Sequence, residues 1–430
     1  MYKTCQEKRN EVGYGLGAKE LSVPCKHCIW LVAYARIKSH TIVYAKERNP
    51  IMQKQKKLWH YIVCIFSLCF LFTGCASEMQ QKTKTHRQNN TNPPAQNTVS
   101  QKAQEPIANG AAKKKKKTTS ITISAAGDCT FGSDRNSPAS VNFYSVYNKK
   151  KPEYFFRNVR NIFEKDDLTL VNFEGTLTDS TSRMDKTYAF KGSPSYIRLL
   201  KKGAIEAVSF ANNHCRDYGE QSYTDTINTF QKAGIKYASY DKVSIYKTKG
   251  IRIGMVAVNG LLGADYSKNL IASGIKKLKK RQADLIIVSM HAGIEHTSTL
   301  NAVQTDLAHY AVKKGANLVL GHHPHTLQGI ERYKGAYIVY SLANFCFGGN
   351  TNPSDKDTII FQQTFTFKNK KLKKDKNMRI IPCMVSSTSA INNYQPTPLK
   401  GAARQRIIQK MNTYSRPLGV QFSKNGKVKL

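Results

Sequence analysis

Five apolar runs of strand length each end in side chains that can bind a metal ion, and this repetition constrains the fold more than any other feature. A single ending of this kind is ordinary turn chemistry. Five endings that mix carboxylate, amide and imidazole groups are not explained by turns alone. Because α/β proteins keep their ligands at the carboxyl edge of the sheet, we expect these side chains to meet there. The runs and their endings are 121–126 with Asp128, 168–172 with Glu174, 207–210 with Asn213 and His214, 285–290 with His291, and 317–320 with His323 and His325.

Helical periodicity alternates with these runs, which predicts an α/β domain with some α+β character. The amphipathic pattern is clearest over 219–233, where Gly234 is suited to cap the end of a helix. Other helices are predicted over 152–164, 194–202, 301–314 and 402–412, and other strands over 243–248, 251–258, 336–340, 358–367 and 378–385.

The last ending, Gly321-His322-His323-Pro324-His325, places three imidazoles within four residues. Pro324 prevents a regular helix. In an extended segment His323 and His325 point the same way, because side chains two residues apart share a face. A histidine-rich surface loop would explain this stretch if it stood alone, but the other four endings favour a metal site. We expect His322 to be structural rather than a ligand.

Mixed oxygen and nitrogen donors suit divalent ions such as Mn²⁺, Fe²⁺ or Zn²⁺. Two such ions about 3.5–4 Å apart can bind a shared water and a substrate phosphate. Glu174 is the right type of side chain to bridge the ions, and His214 is the right type to protonate a leaving group. The residues therefore predict a two-ion cofactor, with Glu174 and His214 in catalytic roles.

The stretch from Ile123 to about Pro382 resembles the bacterial capsule-synthesis CapA family, which is tied to poly-γ-glutamate production. That family in turn resembles calcineurin-like metallophosphatases, so the resemblance implies a four-layer αββα sandwich with two mixed β-sheets. The motifs that carry it are Gly127-Asp128, Asn172-Phe173-Glu174-Gly175, Ala211-Asn212-Asn213-His214 with Asp217-Tyr218-Gly219, His291-x-Gly293-x-Glu295, Gly321-His322-His323-Pro324-His325 with Gln328-Gly329, and Tyr340-Ser341-Leu342-x-Asn344-Phe345. The ligand set that it implies is Asp128, Glu174, Asn213, His291, His323 and His325, with His214 as the acid.

The sequence departs from the metallophosphatase pattern at two of these positions. Thr130 stands where those enzymes have a histidine, so the ion at His325 is expected to lack one ligand. Glu174 replaces a bridging aspartate.

Other residues near the motifs have less direct roles. His296 replaces an aromatic residue of the CapA pattern, and we expect it to contact substrate. Asn344 is either a substrate contact or a turn residue. Glu295 and Asp217 are expected to orient ligating histidines or to cap helices.

The sequence has ten cysteines, of which Cys129, Cys215, Cys346 and Cys383 fall in the domain with wide, irregular spacing. This spacing does not indicate a disulfide framework. We expect small buried thiols rather than nucleophiles.

The first part of the chain predicts export. Residues 1–51 do not form a compact domain in this interpretation and are an upstream extension. Residues 52–75 consist of basic residues followed by an apolar run that ends at Thr73-Gly74-Cys75. This pattern predicts a lipoprotein signal with Cys75 as the lipidation site. The alternative is an uncleaved membrane anchor. Either arrangement places the rest outside the membrane. Residues 76–120 predict a disordered tether, 121–395 the metallophosphatase-like domain, and 396–430 a C-terminal extension.

The formal charge of +39 predicts attraction to polyanions, although no motif for specific nucleic-acid binding is apparent. The sequence thus favours a lipoprotein on the outer face of the bacterial cell membrane. It would act in making or exporting an anionic capsule polymer, within a synthesis or export complex. A metal-dependent hydrolase is the favoured interpretation, and whether the site is catalytic stays open. The alternatives are a non-catalytic, membrane-tethered, polymer-binding scaffold and a cell-wall phosphodiesterase.

Overall fold

The computed structural model describes residues 118–373 and 377–429. The predictions for residues 1–117, including the signal or anchor, Cys75 and most of the tether, lie outside the described residues.

The strands alternate with helices along the described chain. The first strands are β1 (Thr118–Thr130), β2 (Leu168–Phe173), β3 (Thr176–Leu177), β4 (Lys191–Gly192), β5 (Ala207–Ser209), β6 (Lys236–Ala238), β7 (Ser244–Thr248), β8 (Ile251–Asn259) and β9 (Leu285–His291). The later strands are β10 (Leu318–His322), β11 (Ile330–Tyr333), β12 (Ala336–Val339), β13 (Asn344–Phe347), β14 (Asp357–Lys368), β15 (Lys371–Leu372), β16 (Met378–Met384) and β17 (Thr397–Pro398). The α-helices are α1 (Phe143–Lys149), α2 (Glu153–Phe156), α3 (Arg160–Phe163), α4 (Arg198–Lys202), α5 (Gly219–Ala233), α6 (Ala264–Lys280), α7 (Ala302–Lys314) and α8 (Gly401–Ser415).

Most strands belong to one of two mixed sheets. The first sheet has the order β17-β16-β14-β1-β2-β5-β6, with β13 beside β1 and β15 beside β14. In this sheet β1, β2, β5 and β6 run parallel, and β14 runs antiparallel to β1. The second sheet has the order β11-β12-β10-β9-β8-β7. Its four inner strands run parallel, and the edge strands β7 and β11 are antiparallel to their neighbours.

Alternate residues of the central strands face opposite sides, as expected for a sheet that is covered on both faces. Ile123 of β1 and Ile287 of β9 belong to the core between the two sheets. Phe173 of β2 packs with residues of α1–α5, and Val288 of β9 packs with α6 and α7. The layers are therefore helices, sheet, sheet and helices, and the predicted four-layer αββα sandwich is confirmed.

The last helix is part of the same core. Ile407, Ile408 and Met411 of α8 are buried with the residues between the sheets, and the backbone N–H of Ile330 donates to Ser415 Oγ at 2.9 Å. The described part of 396–430, which was predicted to be a C-terminal extension, thus packs into the domain that precedes it.

Several local predictions differ from the structure. The helix expected over 194–202 is a 3₁₀ helix over Pro194–Ile197 followed by α4. The helix expected over 152–164 is split into α2 and α3, because Val159 has a non-helical backbone (φ −120°, ψ −15°). The helix α6 was not predicted; its buried face includes Ser267 and Gly274 beside Ile271, Ile275 and Leu278. Among the described helices, none has the length and apolar character needed to cross a membrane.

Candidate metal centre

The five strand endings meet where the carboxyl edges of the two sheets come together. In the first sheet Asp128 is paired with Asn172 of β2 and Asn344 of β13, and the register of β1 shifts just before Asp128. In the second sheet His322 of β10 is opposite His291 of β9. Asp128 and His322 are therefore the last or nearly last residues of their strands, rather than residues of the following loops.

Two glycines allow the backbones to approach closely at this edge. A Cβ atom on Gly127 would lie 1.8 Å from the carbonyl oxygen of Ala343, and one on Gly321 would lie 1.9 Å from that of Tyr340. Both approaches are to backbone, so a side chain could not be accommodated by rotating a neighbour. Steric contact with the neighbouring backbone therefore explains why glycine precedes both Asp128 and His322.

Asp128, Glu174 and His291 form a buried donor group. One donor atom from each lies within 4.8 Å of the others. His291 Nε2 lies 3.8 Å from Glu174 Oε1 and 2.8 Å from Asn213 Oδ1. Asn172, which the sequence analysis did not single out, donates from Nδ2 to Asp128 Oδ1 at 2.9 Å and fixes that carboxylate.

His323 and His325 approach the same group from the segment that follows β10. His325 Nδ1 donates to Asn344 Oδ1 at 2.8 Å, which leaves Nε2 facing Glu174 Oε1 at 3.7 Å. The hydrogen bond fixes the imidazole orientation in the way that partners of ligating histidines do. His323 and His325 both have positive φ angles, 100° and 56°. Such backbone costs about 1–3 kcal/mol per residue and persists only where the surroundings hold it.

His214 faces the cluster from the other side. Its Nε2 lies 3.9 Å from Glu174 Oε1, and its Nδ1 donates to Asp217 Oδ2 at 2.7 Å. Lys186 Nζ donates to the other oxygen of Asp217 at 2.8 Å, and the Phe190 ring stacks on the imidazole at 4.4 Å between centroids. The tautomer and position of His214 are thus fixed by three neighbours, of which Lys186 and Phe190 were not anticipated.

Burial and neighbouring charges shift the pKa values of the side chains in the cluster. Burial raises the pKa of Glu174 well above its usual range, and the nearby charge of Asp128 adds to the rise. Burial also acts to raise the pKa of Asp128, but the imidazoles of His322 and His325 hold it well below its usual range. Burial acts to lower the pKa of His325, but the nearby Glu174 and Asp128 raise it to about 9. Burial lowers the pKa of His323 to about 4, with a further contribution from the charge of His325.

The donors fit a divalent cation. Both oxygens of Glu174 and Nδ1 of His323 are buried without a hydrogen bond from any described residue. Leaving a buried polar atom unpaired costs about 1–3 kcal/mol, and a cation bound between these atoms would remove that cost. Carboxylate oxygens and imidazole nitrogens are the donors that Mn²⁺, Fe²⁺ and Zn²⁺ accept. The structure therefore brings together the six predicted ligands in a chemically suitable group.

The other predicted site residues lie around this group. Asn344 and His296 both line a cleft of about 310 Å³ beside the cluster, together with Tyr188, Phe190 and Phe347. Their roles as substrate contacts stay predictions, although Asn344 also orients His325. His322 is buried with Nδ1 at 3.2 Å from Asp128 Oδ1, and neither of its ring nitrogens has a hydrogen-bond partner among the described residues. Its structural role stays a prediction.

The structure narrows the roles of two residues beside the cluster, Glu295 and Thr130. Glu295 does not cap the helix that follows, because the N-cap of α7 is Asn301. Thr130 supplies no imidazole in place of the missing histidine, and its hydroxyl donates to the carbonyl oxygen of Glu174 at 2.6 Å.

The thiols near the cluster are buried, as predicted. Cys129 and Cys215 adjoin metal-site residues, and burial raises the pKa of both. A thiol whose pKa is raised by burial is a poor nucleophile. The structure gives these cysteines packing roles.

A mixed α/β sandwich with clustered acidic and histidine donors at the strand ends defines a metallophosphatase-like fold with a candidate metal site. Residues 122–349 match the family described as bacterial capsule synthesis protein PGA_cap. This match covers more than half of the chain, and the protein belongs to that family.

Two curated relatives support this assignment. The PGA biosynthesis protein CapA of Bacillus subtilis (strain 168) is 30% identical over 223 residues, which are 47% of this chain and 59% of the relative. The capsule biosynthesis protein CapA of Bacillus anthracis is 29% identical over 268 residues, 56% of this chain and 63% of the relative. The chain thus matches about three-fifths of the length of these relatives. A solved structure of a hypothetical protein from Thermus thermophilus has a TM-score of 0.37 at 13% identity, covering 61% of this chain and 98% of that one. This likeness is too weak to add to the fold assignment.

Proposed function

We propose that the protein acts outside the membrane in the synthesis or export of an anionic capsule polymer of the poly-γ-glutamate type. The proposed reaction is metal-assisted hydrolysis or transfer at a phosphoryl or amide centre. The observation that carries the proposal is the pair of buried, unpaired oxygens of Glu174, which lie between imidazoles from the second sheet and His214. The names of the Bacillus relatives support the choice of polymer.

The residues divide into two groups around Glu174. Asp128, Asn213 and His291 would hold one ion, and His323 and His325 would contribute to a second. Bound divalent ions supply charge stabilisation and an activated water to reactions at phosphoryl and carbonyl centres.

His214 is placed to handle a proton. Its Nδ1–H is committed to Asp217, so Nε2 is the nitrogen that faces the cluster. Because Nδ1 holds the proton of the neutral imidazole and burial lowers the pKa of His214, Nε2 must first take up a proton from solvent water. In the proposed reaction Nε2 then gives this proton to the leaving group, and Asp217 stabilises the imidazolium while it exists. Lys186 holds Asp217 in position. The cleft beside Phe190 and Phe347 would exclude water from this side of the site.

The export part of the proposal rests on the sequence. The apolar run that ends at Cys75 supports a lipid anchor, and the charge of +39 supports contact with anionic polymers and a membrane surface. Cys75→Ser should move the protein from the membrane fraction to the medium or the soluble fraction. Retention of that variant in the membrane, unchanged, would count against lipid anchoring and in favour of an uncleaved anchor. Peptides from 1–51 in the native protein would show that the upstream segment is made.

Metal content is the first test of the site. The purified full chain should contain Mn, Fe or Zn by elemental analysis, rising towards two equivalents after loading. A chain that binds no divalent metal under any loading condition would refute the enzyme proposal.

Genetic replacement then separates catalysis from scaffolding. His214→Ala and His325→Ala should each abolish capsule formation, whereas His309→Ala should not. His309 is a suitable control because it lies on α7 and is bonded to Glu331 at 2.8 Å. Intact capsule in both site variants would favour the polymer-binding scaffold. Activity on chromogenic phosphodiesters, without any effect on capsule, would favour the cell-wall phosphodiesterase.

A further inference from the structure

The substitution at Thr130 leaves the second ion position with two imidazoles and the shared Glu174 as its donors. Thr130 is occupied by its bond to the Glu174 carbonyl oxygen. On the opposite side of the histidines, however, the structure has a carboxylate that the metallophosphatase pattern does not use. This side chain is Glu295.

We propose that Glu295 joins His323 and His325 to form a second, outer divalent-metal site that faces the cleft. This inference rests on the proposed two-ion site and extends it by naming a further ligand for the outer ion.

The donor geometry supports the assignment. One donor atom from each of Glu295, His323 and His325 lies within 4.8 Å of the others. His323 Nδ1 lies 4.0 Å from Glu295 Oε1. Although His323 is only 6% exposed, this nitrogen has no hydrogen-bond partner among the residues described. The separation of 4.0 Å between this nitrogen and the Glu295 oxygen leaves room for a metal ion bound to both atoms.

The loop that carries Glu295 is fastened to the histidine segment on both sides. The backbone N–H of Ala292 donates to His322 O at 3.0 Å, and that of His296 donates to Pro324 O at 2.8 Å. Between these two bonds the chain turns at Gly293, which has a φ of 125°. Two backbone bonds that flank Glu295 keep its side chain near His323 and reduce the entropy cost of bringing a ligand to a metal.

The two ion positions differ in exposure. Asp128, Glu174 and His291 are almost completely buried, whereas the side chain of Glu295 is 48% exposed. Glu295 and His325 also line the cleft. The outer ion would therefore face the cleft occupant and exchange with solvent, while the inner ion would be enclosed by the sheets. With the shared Glu174, the outer ion would have two imidazoles and two carboxylates as donors, a mixed set that Mn²⁺, Fe²⁺ and Zn²⁺ accept.

Metal counting on the full chain tests the proposal. The metal-free protein would be titrated with Co²⁺ alone and followed by calorimetry and by visible absorption, which reports the ligands directly. We expect two equivalents for the unaltered protein. Glu295→Gln should retain the tighter equivalent and weaken the other at least about tenfold, with loss of its absorption band. Its thermal unfolding without metal should match that of the unaltered protein. Chelator should also remove one ion faster than the other.

The control is Glu220→Gln on α5, because the side chain of Glu220 is 68% exposed and bonds only to Arg216 in the described structure. This variant should bind two equivalents with unchanged affinity. If Glu295→Gln also binds two equivalents with unchanged affinity, the outer site as assigned is refuted while the two-ion proposal stands. If the unaltered protein binds a single ion that Asp128→Asn abolishes and Glu295→Gln does not, the outer site is likewise refuted. If the unaltered protein binds no ion, the proposed function itself fails.

Discussion

Replacing Glu174 by glutamine should have opposite effects on stability with and without metal. Without metal, the two oxygens of Glu174 are buried and unpaired by described residues, and their burial next to Asp128 raises the pKa of Glu174. Glutamine keeps the shape of the side chain and removes the charge. An unsatisfied buried neutral group costs about 1–3 kcal/mol and a charged one costs more. Glutamine keeps the neutral cost but removes the extra cost of the charge, so the metal-free variant should be more stable near pH 8 by on the order of 1 kcal/mol or more.

The pH dependence of this gain has a definite sign. A carboxyl group whose pKa is raised by folding stabilises the native state below its unfolded pKa and loses that contribution as the pH rises. The advantage of Glu174→Gln should therefore be small near pH 4 and should grow towards pH 8.

With metal the order should reverse. A ligand present at 100 times its dissociation constant stabilises the native state by about 2.7 kcal/mol. A variant that binds 100-fold more weakly gains only about 0.4 kcal/mol under the same conditions. The unaltered protein should therefore gain about 2 kcal/mol more from Mn²⁺ or Zn²⁺ than Glu174→Gln gains.

Chemical denaturation in chelator and in excess metal measures both effects. Glu220→Gln should differ from the unaltered protein by less than about 0.5 kcal/mol in either condition, as surface substitutions do. A metal-free Glu174→Gln protein that is destabilised by more than about 1 kcal/mol would refute the argument that these oxygens are unpaired. Equal stabilisation of both proteins by metal would refute the bridging position of Glu174.

Two further predictions concern the scaffold. Gly321→Ala should destabilise the protein by about 2–3 kcal/mol or more in urea denaturation and weaken metal binding, because the new Cβ would lie 1.9 Å from the Tyr340 carbonyl oxygen. The control is Gly234→Ala, since Gly234 has a φ of 76° and open space around it in the described structure. This variant should lose only about 1 kcal/mol and keep its metal content. Asp166→Asn should stabilise the protein increasingly between pH 4 and pH 8, because burial, with the charges of Glu206 and Asp167, raises the pKa of Asp166 to about 7; a melting-temperature difference that does not change over this range would contradict the prediction.

The sequence predicted best those features that depend on local pattern. The helix α5 has the predicted bounds, 219–233, and Gly234 ends it with a φ of 76° as a left-handed cap. The polar endings of the strands were visible because apolar runs stop abruptly at them. Their convergence followed from the rule for parallel strands and needed no knowledge of individual contacts.

The features that were missed depend on packing between distant segments. The helix α6 escaped prediction because Ser267 and Gly274 occupy its buried face and dilute the apolar periodicity. Asn172 stood in a motif, but its role in fixing Asp128 depends on a side-chain contact between β1 and β2 that the sequence alone does not show. Glu295 is brought to His323 by backbone bonds to His322 and Pro324 that only the folded chain contains.

The site also depends on how the two sheets are packed together. Asp128 and Glu174 belong to the end of the first sheet, whereas His291 and His323 belong to the second, so the donors meet only while the core between the sheets is intact. A bound ion would therefore link the sheets, and metal binding would stabilise the domain as a whole. The helix α8 contributes to the same core although it lies beyond the family match, which ends at residue 349. Asp355 connects α8 to Thr326, the residue after His325. Its carboxylate accepts hydrogen bonds from Thr326 at 2.8 Å and from Lys410 of α8 at 3.0 Å. Residues outside the matched segment thus help to position a ligand within it.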